Sequence, residues 1–339
     1  MRAGKVMMWA LCAAWLALLG GCHDTRPLRT EMDDYAERVQ RLLQQDAPAI
    51  ELVQSRYPSK VQLRVEIASV AIDWSDFFAT LDCPQLQQLI SERNSATGRQ
   101  MDAMTSLLYE LDFHFLVEQE CRAGAALSST TWRDALRQKK QQQPQAKWNA
   151  TWAGEYWQLA FSLSSAQAQH QPVSAPKVIA AMAQIRQISQ HYHPRQRADL
   201  IAAFKTIEMN KGALGELVLD LRYTEALLNH MNQQLAQAQA TVCRSQKPTQ
   251  QALFLKNVLW KFFINQAQRT LQQELQALHQ LEQEVALQRQ QFAGVWPRQN
   301  DYLALFMEPT LAQRIEQLSK QHVAKWQALA KSCNMSMTS

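Results

Sequence analysis

Residues 200–242 read LIAAFKTIEMNKGALGELVLDLRYTEALLNHMNQQLAQAQATV, and an apolar side chain recurs there every seven residues without a miss. The repeating positions are Leu200, Ile207, Leu214, Leu221, Leu228, Leu235 and Val242, and a second run follows at Ile264, Leu271, Leu278, Val285 and Phe292. A sustained seven-residue spacing holds one apolar edge of a helix against a neighbour. We therefore predict two long helices that form an antiparallel hairpin about a turn at Ser245 to Pro248. Gly212 and Gly215 each cost about 1 kcal/mol inside a helix, which predicts a kink or a close crossing there.

The composition of the whole chain also favours helix. The 339 residues include only 9 Gly and 11 Pro but 45 Gln, a residue that suits solvated helix faces. So few chain breakers exclude collagen-like, flexible-linker and turn-rich all-β proteins. The formal net charge is +5, with no dense block of Lys and Arg. We therefore expect no nucleic-acid partner.

One segment has a strand-like pattern. Val61, Leu63, Val65 and Ile67 alternate with polar residues, and the alternation resumes one place out of phase through Trp74. This pattern predicts a short β element near 61–74, with a bulge or turn near Ala68-Ser69. Further helices are predicted at about 30–45, 75–82, 84–93, 99–122, 177–192 and from about 309, and a solvated linker at 138–147, around Pro144. The predicted fold is mainly α: an elongated helical bundle with long antiparallel helices and that one short β element.

The N-terminal residues have the features of an export signal. Arg2 and Lys5 precede an apolar stretch of about 14 residues, shorter than the roughly 20 that a spanning helix needs. The segment Leu19-Gly20-Gly21-Cys22 then resembles the bacterial lipobox, in which the cysteine thiol takes a diacylglycerol. An ordinary cleaved signal with an incidental cysteine is the alternative. With acylation at Cys22 the chain would be stably anchored, and His23 in place of an Asp favours the outer membrane, periplasmic face, over the inner membrane.

These features predict the domain organisation. Residues 1–21 form the lipoprotein signal peptide and 22–29 a tether. A helical region with the β element occupies 30–145 and the helical bundle occupies 146–339, and we expect the two to be one continuous domain. We expect no cofactor and no metal site, because the eight histidines lack a set of ligands at regular spacing.

Four cysteines remain after the lipobox, namely Cys83, Cys121, Cys243 and Cys333. An even number in an oxidising compartment indicates two disulfides, of which four cysteines allow three connectivities; free buried thiols are the alternative. We choose Cys83 with Cys121 and Cys243 with Cys333, at about 4 kcal/mol each on the chain-entropy model. The second pair would meet at one end of a three-helix bundle. The first requires an extra bend, because helices of about ten and more than twenty residues would misalign by about 20 Å in a simple hairpin.

The most distinctive polar segment is residues 92–98, which contains Glu92, Arg93, Asn94, Ser95 and Gly98. It has two interpretations. Asn94 or Ser95 could cap the helix that follows. Alternatively, the carboxylate, guanidinium, amide and hydroxyl groups could bind a sugar or a peptide.

Residues 83–98, CPQLQQLISERNSATG, are followed by Leu107-Leu-Tyr-Glu-Leu111 and Cys121. Together they resemble an uncharacterised bacterial lipoprotein family, domain of unknown function 3080. The resemblance covers essentially the whole mature chain. It implies an envelope lipoprotein of a single domain, with no catalytic residues to transfer.

The functional expectation is a lipid-anchored binding or assembly factor whose partner is an envelope protein or peptidoglycan. A cell-wall-active enzyme using a carboxylate such as Glu92 is the alternative, and a passive structural protein is a third possibility. No nucleophile motif, zinc-protease motif or phosphate-binding glycine loop occurs in the sequence.

Overall fold

A computed structural model describes residues 27–52, 57–70, 82–121, 129–163, 173–243, 247–295 and 311–336. Cys22, the predicted signal peptide and most of the predicted helix at 75–82 lie outside the described residues.

The described chain is helical. Its α-helices are α1 Pro27–Leu43, α2 Lys60–Leu63, α3 Pro84–Asn94, α4 Ala103–Phe115, α5 Thr130–Ala150, α6 Glu155–Ala160, α7 Ala175–Gln190, α8 Arg197–Met209, α9 Ala213–Val242, α10 Gln250–Val258, α11 Gln268–Gln291 and α12 Leu311–Ser332. Single 3-10 turns lie at Gly98–Gln100 and Pro194–Gln196, and π-helical segments at Leu116–Glu120 and Leu259–Ala267. The second π segment joins α10 to α11 without a break, so these residues form one long helix.

With the exception of Phe292, the residues of both heptad runs are helical, as predicted, and the first run is interrupted at one of the two glycines where a kink or a close crossing was predicted. All seven side chains of the first run are buried. The run divides between α8 and α9 at Gly212, whose φ of 81° lies in the left-handed region. Gly215 lies against α6, and a Cβ there would be 2.6 Å from the carbonyl oxygen of Phe161. The two glycines therefore provide the break and the close crossing.

Helix α9 is the centre of the bundle, and its most extensive contact is with α12. These two helices run parallel, since Arg314 pairs with Glu225 and Cys333 lies beside Cys243 at the far ends. Between those points Asn232 donates to the carbonyl of Leu318.

The predicted β element near 61–74 is wrong over residues 61–70, since no strand occurs in the described part of the chain, and residues 71–74 lie outside it. Residues 60–63 form the single turn α2, and 64–70 have no regular secondary structure. The alternation that suggested a strand is nevertheless present, because Val65 and Ile67 are half-buried while Arg64, Glu66 and Ala68 are exposed. What is missing is a second strand, whose place is taken by polar side chains of α5.

The predicted linker at 138–147 is also wrong, because these residues lie inside α5 with Pro144 in the helix. Gln and Lys are good helix formers, and here they also make tertiary contacts. The Lys147 ammonium donates to the carbonyl of Ser189 at 2.6 Å, and burial lowers the pKa of Lys147 to about 8.

The buried apolar residues form two separate clusters. The main core extends from Leu28 in α1 to Cys333 and draws on most helices. It includes Trp148, Trp152 and Trp157, so these tryptophans are core residues. The second cluster, called here the satellite core, consists of Cys83, Leu86, Ile90, Tyr109, Phe113, Cys121 and Trp132.

Each core contains one of the two predicted cysteine pairs. The Cα atoms of Cys83 and Cys121 are 5.7 Å apart, and those of Cys243 and Cys333 are 4.9 Å apart. Helix α4 begins only at Ala103, after a turn through Gly98–Gln100, so the second helix starts later than predicted and the expected misalignment is smaller.

Candidate ligand-binding groove

The polar segment 92–98 folds into a tight turn at the end of α3. The Ser95 hydroxyl donates to the carbonyl of Glu92 at 2.7 Å and accepts from the Gly98 N–H at 2.9 Å. The Arg93 guanidinium donates to the carbonyl of Gly98. A Cβ at Gly98 would lie 2.0 Å from the Glu92 carbonyl oxygen, so only glycine fits there.

The capping interpretation of this segment named the wrong residues. Helix α4 is capped by Asp102, whose carboxylate accepts from the Thr105 N–H at 2.6 Å. Ser95 instead ends α3. The segment is therefore a connection held by its own hydrogen bonds, and it presents Arg93 and Asn94 to a groove.

That groove has a volume of about 890 Å³. Its walls are the segment 61–70, the turn after α3, one face of α4 and the middle of α5. The lining side chains that carry charge or a ring are Arg64, Glu66, Arg93, Arg99, Tyr109, Glu110 and Lys139. A smaller cavity of about 290 Å³ shares Arg64, Arg93 and Tyr109 with it and extends towards Glu155.

The floor of the groove is an ordered set of charges. Lys139 pairs with Glu110 at 2.7 Å, both mostly buried, and its ammonium lies 5.0 Å from the centre of the Tyr109 ring. Arg93 lies over the same ring at 5.6 Å. Burial, reinforced by the Glu110 carboxylate, raises the pKa of Tyr109 well above its ordinary value. Tyr109 is thus a neutral ring with two cations close to it.

The rim carries an excess of positive charge. Glu110 is already neutralised by Lys139, and Arg93 is bonded to a carbonyl rather than to a carboxylate. Arg64 and Arg99 are exposed and form no ion pair with the described residues. Glu66 is the single acidic lining residue without such a pair among those described. The groove therefore favours an anionic ligand.

At the far end of the smaller cavity, Glu155 is fixed in its charged form. It accepts from the Ala103 N–H at 2.7 Å and pairs with Lys60 at 3.0 Å. Burial by itself would raise its pKa, but these two hydrogen bonds outweigh burial and lower the pKa of Glu155. Glu155 joins the start of α4 to α2 and so fixes one wall of the groove.

The structure brings together only part of the predicted site. Arg93 and Asn94 line the groove. Glu92 is exposed, bonded to Gln88 at 2.8 Å, and lies outside the lining, as does Ser95. Glu92 therefore has neither the burial nor the position that a general acid in this groove would need.

Sequence reasoning missed most of the lining. Arg64 and Glu66 occupy the polar phase of the alternation that was assigned to a strand, and Lys139 lies in the stretch assigned to a linker. A helical assignment of that stretch would have placed Lys139 and Gln142 on neighbouring turns of one helix, although not beside the 61–70 segment. Arg99 directly follows the predicted loop, and it carried no signal of its own.

Outside the groove, the main core contains a chain of buried polar groups. The Trp326 indole donates to the Tyr35 hydroxyl at 2.9 Å, and this hydroxyl lies 2.7 Å from His322 Nε2. His322 Nδ1 lies 2.8 Å from Asn232 Oδ1. Every donor has an acceptor if the imidazole is neutral with its proton on Nδ1. Burial lowers the pKa of His322 to about 3, which keeps it neutral.

This series of hydrogen bonds has a structural role, because His322 is fully buried and connects α1, α9 and α12.

The part of the polypeptide that the structure describes has no group of three or more His, Cys, Asp or Glu residues that could hold a metal ion. None of the described helices has the length and apolar character needed to cross a membrane.

The fold and the groove define a helical domain with two cysteine pairs and a cationic surface cleft. The chain belongs to the family described as Protein of unknown function (DUF3080), whose model matches residues 32–337. The match includes the groove, the satellite core and the main core apart from Leu28. No curated protein and no solved structure matches the chain.

Proposed function

We propose that this protein is a lipid-anchored binding factor of the bacterial envelope, and that the groove beside residues 93–99 takes its ligand. The observation that carries the proposal is the excess of arginine at the groove rim. Arg64, Arg93 and Arg99 surround a volume of about 890 Å³ with Tyr109 at its floor. A guanidinium forms paired hydrogen bonds to carboxylate and phosphate groups.

The anchor rests on the sequence alone. The segment Leu19-Gly20-Gly21-Cys22 follows an apolar stretch of about 14 residues, which supports cleavage before Cys22 and acylation of its thiol. Stable attachment needs two or more acyl chains. The outer membrane, periplasmic face, remains the proposed location.

The anchor is tested by labelling cells with palmitate. We expect label on the wild-type chain and none on Cys22→Ala, whereas Cys12→Ala should retain it. Equal label on wild type and Cys22→Ala would contradict the lipid anchor.

The groove is tested by placing a photo-crosslinking residue at Asn94, an exposed lining residue, in the anchored protein. The control carries the crosslinker at His191, an exposed residue at the end of α7. We expect an envelope component on the first and none on the second, with loss of the adduct when Arg64→Gln is added. Equal capture at both positions, or no adduct at either, would favour a passive structural protein.

A further inference from the structure

Residues 64–70 form one wall of the groove, and they lie along α5 in a defined way. The Val65 N–H donates to Asn149 Oδ1 at 2.9 Å, and Asn149 Nδ2 donates back to the Val65 carbonyl at 2.7 Å. Three residues further, Gln142 Nε2 donates to the carbonyl of Ala68 at 3.0 Å. Two amide side chains of one helix thus fix this segment in place.

The spacing of these contacts shows that the segment is extended. Asn149 and Gln142 are seven residues apart on α5, about 10 Å along the helix. Val65 and Ala68 are three residues apart, and only an extended chain covers about 10 Å in three residues. The segment therefore runs in an extended conformation, antiparallel to α5.

Several backbone groups of this segment have no hydrogen-bond partner among the residues that the structure describes. Glu66, Ile67 and Ser69 form no hydrogen bond with any residue that the structure describes. The side chains alternate as in a strand, with Val65 and Ile67 half-buried and Glu66 and Ala68 exposed. An extended segment with open N–H and C=O groups is a template for pairing with another extended chain.

We infer that the ligand of the groove is an extended acidic polypeptide segment, which adds as a strand to residues 65–70 while its carboxylates contact Arg64 and Arg99. This inference rests on the proposed function, because it specifies the ligand of the same groove. Backbone pairing would provide affinity, and the two exposed arginines would select acidic side chains. The half-buried Val65 and Ile67 would contact apolar side chains of the ligand.

The test uses the purified mature protein and a short labelled peptide of alternating Val and Glu, with anisotropy as the readout. Two control peptides separate the contribution of charge from that of backbone pairing. One replaces Glu by Lys and keeps the strand propensity, and the other keeps Glu but carries N-methyl groups at alternate amides. We expect each control peptide to bind at least about tenfold more weakly.

Matched variants test the protein side. Ser69→Pro removes one backbone N–H at an exposed position, whereas Ser69→Ala retains it. The affinity for the Glu peptide should therefore fall in Ser69→Pro and not in Ser69→Ala. The double variant Arg64→Gln/Arg99→Gln should lower the affinity for the Glu peptide about tenfold or more, whereas Arg289→Gln, at an exposed site on α11, should leave it unchanged. Equal melting temperatures would show that each variant folds.

The outcomes separate the two proposals. Equal binding of the Glu and N-methylated peptides would overturn strand addition, and equal binding of the Glu and Lys peptides would overturn the selection of acidic side chains. A peptidoglycan fragment or inorganic phosphate that binds through Arg64 and Arg99, without any binding of the Glu peptide, would overturn the polypeptide ligand and leave the proposed function standing. Absence of both peptide binding and the crosslink at Asn94 would overturn both.

Discussion

The main core and the satellite core are stabilised by different interactions. The main core draws on nearly all helices and contains a fully paired chain of polar groups around His322. The satellite core has seven buried residues, two of which are the cysteines of one pair. A small apolar cluster rarely suffices by itself, and a covalent link supplies what it lacks. The groove lies where the two cores meet, because Tyr109 on one side belongs to the satellite core and Val65 on the other packs against the main core.

Removing each cysteine pair in turn should affect the stability of the two regions differently, and these are the largest losses of stability that we expect. Cys243→Ala/Cys333→Ala opens a loop with a sequence separation of 90, which costs about 4 to 5 kcal/mol on the chain-entropy model. Denaturant unfolding should show this loss for the whole protein, with the native state still able to bind at the groove.

Cys83→Ala/Cys121→Ala opens a loop with a separation of 38, about 4 kcal/mol on the same model. Here we expect local opening of α3 and α4 in hydrogen exchange, with the amides of α9 and α12 still protected. The comparison fails if the two double variants give the same exchange pattern.

Next in size is the loss of the buried imidazole. His322→Ala leaves a cavity and removes the partners of Tyr35 and Asn232, at a cost of about 3 kcal/mol in the free energy of unfolding. His191→Ala, at an exposed position, should change stability by less than about 0.5 kcal/mol. Chemical denaturation of both variants makes the comparison, and similar values for the two would show that the polar chain does not stabilise the main core.

In the satellite region the sharpest single substitution is Gly98→Ala. Its Cβ would lie 2.0 Å from the Glu92 carbonyl oxygen, so the turn must open, at a cost of about 2 to 3 kcal/mol. Gly294→Ala has no atom within 4 Å of the added Cβ and is the matched control. Thermal unfolding followed at a label near α4 should shift for Gly98→Ala only. An unchanged melting curve would contradict the close approach in this turn.

The smallest expected effect is a dependence of stability on pH. Because burial lowers the pKa of His322 to about 3, below an ordinary value of about 6.5, the unfolded chain binds more protons between these values. The free energy of unfolding therefore falls on acidification, by about 2 kcal/mol between pH 7 and pH 5 from this residue. The difference between wild type and His322→Gln isolates this contribution. Equal pH slopes for the two proteins would contradict a neutral buried imidazole.

The sequence predicted the main core better than the groove, for a physical reason. The seven-residue spacing from Leu214 to Leu235 indicates directly which side chains are buried. The four cysteines that follow the lipobox allow only three pairings. The groove depends on contacts between distant residues, such as Asn149 with Val65 and Lys139 with Glu110. The alternation at 61–67 was real, but a strand pattern does not specify whether its partner is another strand or the side chains of a helix.

The most direct test of the groove is hydrogen exchange of residues 64–70, with and without the alternating Val–Glu peptide. In the free protein the amides of Glu66, Ile67 and Ser69 should exchange rapidly, and Val65 more slowly because it is bonded to Asn149. With the peptide bound, we expect the amides of Glu66 and Ser69 to become protected, because each follows a residue whose backbone is bonded to α5 and so faces the opposite edge. Peptide binding that leaves residues 64–70 unprotected and protects another surface would contradict the account.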